Sequence, residues 1–133
     1  MRVSLTLAAA AATLLVLTPP VSGHHSFAAE FDVNKPITLR GTLTKMEWIN
    51  PHGWLHIDVK RPDGKVESWA VEAGAPNALI RRGLRQTDFP AGAEVVVEGF
   101  QSKNGTLKVN GNTVTFADGR NFFLGASDSP DAR

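Results

Sequence analysis

Four histidines, His24, His25, His52 and His56, are the residues whose type and spacing could do chemistry, and all lie in the first half of the chain. Neutral imidazole is the commonest protein ligand for zinc, copper and nickel, and with no cysteine in the chain no thiolate competes for that role. His24 and His25 stand in "PPVSGHHSFAAEFD", directly after a segment laid out as an export signal. Arg2 gives it a positive start, "LTLAAAAATLLVLT" an apolar run, and Val21 and Gly23 occupy the −3 and −1 positions for cleavage. The run from Leu5 to Leu17 is shorter than the about 20 apolar residues a spanning helix needs, so residues 1–23 read as a signal and not as a retained anchor.

Cleavage after Gly23 would make His24 the amino-terminal residue. Its α-amine, which titrates near ~7.7–8.0, and its ring Nδ1 could then close a chelate on one metal ion. A third nitrogen would complete a T-shaped, tetragonal arrangement, which favours copper(II) over zinc or nickel. His52, in the turn "NPHG", is the expected third donor, with His25 and His56 as substitutes. A cut one residue earlier would put His25 third in the chain, but it sets Pro20 at −3. A cut after Ala28 would remove both leading histidines. The plainer alternative is a solvated turn histidine at His52 and a strand histidine at His56 that needs no ligand.

Aromatic residues offer a rival chemistry. Trp54 is out of phase with Leu55, Ile57 and Val59, so it is expected on an outer face, where with Trp48 and Phe27 it could hold a sugar or peptide ligand. The plainer reading has these rings cover the core or the arm that carries Phe27 and Phe31.

Charge and composition remove other classes. Without its first 23 residues the chain keeps 13 basic and 13 acidic residues, which gives no electrostatic reason to expect nucleic acid or acidic lipid. No serine lies in a nucleophile elbow, no phosphate loop is present, and no pair of carboxylates is spaced as an acid and base, so no enzyme is expected; an oxidative copper enzyme built on the same chelate is the third alternative. The protein is expected to be periplasmic or secreted, without a membrane once the signal is cut. A cysteine-free exported domain of 133 residues or fewer must hold together by its core alone.

The elements that must position these residues follow from pattern. Residues 24–36 are expected as an extended arm. From Ile37, Leu39, Gly41 and Leu43 alternate with polar residues, and the phase then slips to Met46 and Trp48, which predicts a strand with a bulge near Thr44 and Lys45. "WLHIDVK" and "VESWAVE" flank Asp63-Gly64, a hairpin signal. A short helix is expected from "GAPN" through "ALIRRGL", then strands at "VVVEGF" and "TLKVNGNTVTF", and a final hairpin at Asp118-Gly119 into "NFFLG". This order predicts a mainly β fold over residues 37–125, a small five-stranded OB-like barrel with one short helix between strands three and four. An open α+β sheet is the alternative. Residues 126–133 are expected as a disordered tail.

"HHSFAAEFD", "W-x-NPH", "WAVEAGAPNALIRRG" and "TVTFADGR" together resemble a family of short exported bacterial proteins of unknown function. The resemblance covers nearly all of the chain after the signal and implies an OB-like fold and export, with no activity or ligand set. Glycine stands before the paired histidines where the family pattern has alanine.

Overall fold

A computed structural model describes residues 27–125; the expected signal, His24, His25 and the expected tail lie outside the described residues. The order is α1 (Phe27–Glu30), β1 (Phe31–Glu47), β2 (Trp54–Lys60), β3 (Val66–Glu72), α2 (Pro76–Arg81), a 3-10 turn (Gln86–Asp88), β4 (Glu94–Ser102), β5 (Lys108–Phe116) and β6 (Asn121–Phe123). Strands neighbour one another in the order β3-β2-β1-β4-β5-β6. A further parallel pairing sets Ala70–Glu72 of β3 against Lys108–Asn110 of β5, so the hydrogen bonds run in a ring through five strands. The fold is mainly β, but it has six strands where five were expected and two short α-helices where one was. β6 is the extra strand: the hairpin at Asp118 and Gly119 adds it to β5, outside the ring.

β1 joins the two sides of this ring. Its first part pairs with β4, from Phe31 to Thr42, and its second with β2, from Thr42 to Glu47. The register shifts between Leu43 and Lys45, where the alternation slips in the sequence, and this turns Met46 toward the core. Gly41 sits at the crossing; a Cβ there would lie 2.5 Å from the Asp58 carbonyl oxygen, so only glycine lets β1 and β2 come this close. The strand begins earlier than Ile37 because Phe31 is buried and backbone-paired to Ser102, while Phe27 packs its ring on Phe31 and Phe100 at 5.9 and 5.5 Å. Of the expected arm, Phe27–Glu30 is helical and residues 31–36 belong to β1.

The core fills the ring. Leu43, Leu55, Ile57, Val71, Val97 and Val109 are fully buried, each on the apolar phase of its strand. α2 begins on Pro76, which needs no N–H in the first turn, and carries Leu79 into the same core. Gly83 ends it at φ 90°, and Leu84 and Phe89 complete the apolar cluster.

A short electrostatic chain fastens the 3-10 turn to the β5–β6 hairpin. The Arg85 backbone N–H donates to the Asp88 carboxylate at 2.7 Å, and the Arg120 guanidinium donates to it at 3.1 Å. The Arg85 backbone hydrogen bond first, and Arg120 next, hold the Asp88 carboxyl below its ordinary pKa. A carboxyl lowered on folding contributes stability above its unfolded pKa of about 4 and loses it as pH falls through the folded value. Asp88→Asn is expected to be less stable than the parent near neutrality, with the gap closing below about pH 4. Thermal melts from neutral to acid pH check this; a gap that does not change with pH would refute it.

Candidate functional site: a histidine seated on a buried carboxylate

The ladder between β2 and β3 continues past its last strand pair, Trp54 with Glu72. The Gly53 N–H donates to the Gly74 carbonyl at 3.1 Å, and the Ala73 N–H donates to the Gly53 carbonyl at 2.8 Å. A Cβ at Gly53 would stand 3.3 Å from that Gly74 oxygen and 3.3 Å from Met46 Cε, so glycine lets the loop lie flat on the end of β3. The loop contains a cis Asn50–Pro51 peptide bond. One residue before Gly53, His52 is thereby delivered to Glu72, and its Nδ1 meets Glu72 Oε1.

Strand alternation explains where Glu72 points. Val71 and Ala73 are buried on the core side, so Glu72 faces outward with Ala70. It is nonetheless only 6% exposed, and its register partner on β5, Asn110, is 2% exposed. A carboxylate removed from water in this way is costly unless hydrogen-bonded, and the His52 ring meets that need. His52 remains more open than its partner, at 16% side-chain exposure against 8%.

His56 belongs to a different pair. Its Nε2 lies 2.8 Å from Glu47 Oε2, and Lys45 Nζ donates to the other oxygen of the same carboxylate at 2.9 Å. These hydrogen bonds, Lys45 first and His56 second, hold Glu47 below the ordinary carboxylate range. His52 and His56 thus each have a separate carboxylate, and among the described residues no three His, Asp or Glu side chains are grouped to hold a metal. His24 and His25, the other two candidates, lie outside those residues.

The aromatic candidates are largely engaged within the fold. Lys108 Nζ lies 5.3 Å from the centre of the half-buried Trp54 ring. Trp48 packs against the core and lies 6.3 Å from Phe89, and Phe27 is held between Phe31 and Phe100. Trp69 is buried, and its indole N–H donates to Glu67 at 3.0 Å. A concavity of about 660 Å³ opens elsewhere, beside Arg40, Asp58, Lys60 and Glu94, and among the described residues no histidine or tryptophan lines it.

Glu72 and Asn110 escaped the sequence reading. Glu72 occupies the polar phase of a strand, so alternation alone marks it as solvated. The available signal was its place at the strand end, just before "AGAP", where the histidine-bearing turn must return.

A family model matches residues 11–111, about three quarters of the chain. The chain belongs to DUF6152, a family of unknown function. The span that matches DUF6152 takes in His24, His25, His52, His56, Glu72 and Asn110 and stops before β6. Nothing matches the chain among curated proteins or among solved structures. No helix among the described residues is long and apolar enough to cross a membrane.

Proposed function

We propose that this DUF6152 member is an exported, OB-like barrel protein that binds one copper(II) ion through its processed amino terminus and His52. The observation that carries this reading is the seating of His52 Nδ1 on the buried Glu72 carboxylate. Metal-binding histidines characteristically donate their other ring N–H to such a partner. The barrel reading is supported by the ring β1-β2-β3-β5-β4 with its parallel β3–β5 closure. Export is supported by the charge, apolar run and small residues of 1–23.

Phe27, the first described residue, packs on Phe100, whose register partner is Asn110, itself the partner of Glu72. A terminus at His24 would supply the amine and one ring nitrogen, and His52 the opposing nitrogen, the three-nitrogen set that suits tetragonal copper(II). The rival, a ligand face of Trp54, Trp48 and Phe27, has less support because Lys108, Phe89 and Phe100 already pack on those rings.

Intact mass of the exported protein is expected to place its first residue at His24. Copper titration should then saturate at one equivalent, and His52→Ala should lose that binding. A terminus beyond His25, or wild-type protein that binds no copper, would refute the proposal.

A further inference from the structure

We infer that the concavity beside β1 is a binding site in its own right, one that takes a short free peptide by its two charged ends. The strand ladder builds it. β1 changes partner at Thr42, which pairs with Glu94 of β4 on one side and with Asp58 of β2 on the other. Leu43, Ile57 and Val95 are buried, so alternation turns Thr42, Asp58 and Glu94 outward in one row. Two residues along, on the same side because β1 and β2 run antiparallel, stand Arg40 and Lys60. All five line the concavity of about 660 Å³, within the about 300–1,000 Å³ usual for ligand pockets.

Opposite charges face one concavity here without pairing. Among the described residues the Arg40, Lys60 and Glu94 side chains make no hydrogen bond or ion pair, and Asp58 accepts only from the Ser68 hydroxyl, at 2.7 Å. Two cations and two carboxylates balance, which disfavours a simple anion as much as a simple cation. A saccharide needs an open aromatic face, and the Phe116 ring in the wall is only 7% exposed, with the Arg120 guanidinium 5.1 Å from its centre. A ligand that carries both charges, set apart, satisfies both rows. Its ammonium has three N–H donors for three acceptors, Asp58, Thr42 and Glu94. Its carboxylate accepts from the Arg40 fork and from Lys60. The rows lie about 7 Å apart along the strands, and two residues of extended chain span about 7 Å. The spacing therefore selects a dipeptide over a single amino acid, whose two charged groups sit on one carbon.

The test needs no copper, and its outcome bears on the histidine site in neither direction. ¹⁵N-labelled protein is titrated with the dipeptide Ala-Ala, with N-acetyl-Ala-Ala and with Ala-Ala-amide, and backbone amide shifts are followed by NMR. Ala-Ala should move the amides of residues 40–42, 58–60 and 94–96 to saturation. Each capped peptide should bind about tenfold or more weakly, since each loses one charged set of hydrogen bonds. Glu94→Gln should narrow the penalty for the acetyl cap, and Arg40→Gln the penalty for the amide cap; both side chains are exposed. Ala-Ala that moves none of these amides, or capped peptides that bind as tightly as the free one, would overturn the inference. Inorganic phosphate that saturates the same amides as readily as Ala-Ala would make this an anion site and overturn it too. The capped series uses the parent protein alone, so an unfolded variant does not leave the question open.

Discussion

Gly99→Ala is expected to be among the most destabilising single-methyl additions in this protein. An alanine Cβ at this position would lie 2.1 Å from the carbonyl oxygen of Asn110 and 2.6 Å from Val109 Cγ1. The first neighbour is backbone of the adjacent strand, which can retreat only by opening the β4–β5 ladder where its register already shifts, between Glu98 and Gly99. Overpacking of this kind costs about 1–3 kcal/mol, and the upper end is expected because no flexible side chain can yield. That corresponds to a fall in melting temperature of about 12–24 °C at 4–8 °C per kcal/mol for a domain of this size. Gly92→Ala is the control: Gly92 has φ 91° but nothing within 4 Å of the added carbon, so it tests backbone strain without collision. Melting both variants separates the two causes; a G99A protein no less stable than G92A would refute the collision argument. Because Gly99 abuts Asn110, the same variant is also expected to disturb the outer face that carries Glu72.

Local rules made much of this fold legible. The bulge after Leu43 could be read from the slip in alternation, since one extra residue moves every later side chain to the other face. The β2–β3 hairpin could be read from Asp63-Gly64, where Gly64 takes φ 85°. The start of β1 could not. Val33, Asn34, Lys35 and Pro36 are exposed and show no alternation, and the backbone pairing of Phe31 with Ser102 is set by a strand far along the chain. The parallel β3–β5 contact leaves no local trace, because parallel partners need a long connection and no turn marks them. β6, at three residues, is too short for a period to show.

The site was legible by half for a related reason. His52 stands out by residue type and by its turn, both local properties. Glu72 looks like any outward residue of an amphipathic strand; its burial comes from the His52 loop returning over the strand end and from β5 lying alongside, and neither is written in its own neighbourhood. His56 shows the converse. Its clustering in sequence suggested a shared metal site, yet alternation turns it to Glu47 and Lys45 on the surface of β1.

His52→Ala is the second large effect expected, and it measures what holds the site together. The change leaves the nearly buried Glu72 carboxylate in place and removes one of its hydrogen-bonding partners. Hydrogen bonds to charged groups contribute about 1.5–3 kcal/mol, and breaking a fully buried ion pair costs about 3–5. His52 keeps some exposure, so a loss of about 2–3 kcal/mol at neutral pH is expected, nearer the hydrogen-bond range than the buried-pair range. Against a total of about 5–15 kcal/mol, that is a substantial fraction of the domain's stability. Adding Glu72→Gln should return part of it, because a neutral amide costs less to bury than an unpaired carboxylate. A double-mutant cycle in urea should then give a coupling of about 0.5–3 kcal/mol, the range for residues in direct contact. Single and double variants whose losses simply add would mean that the pair contributes nothing to stability as a pair. The copper proposal adds a readout: at a hundredfold excess over its dissociation constant a ligand stabilises by about 2.7 kcal/mol, and if copper binds as proposed this increment should appear in the parent and be absent from His52→Ala.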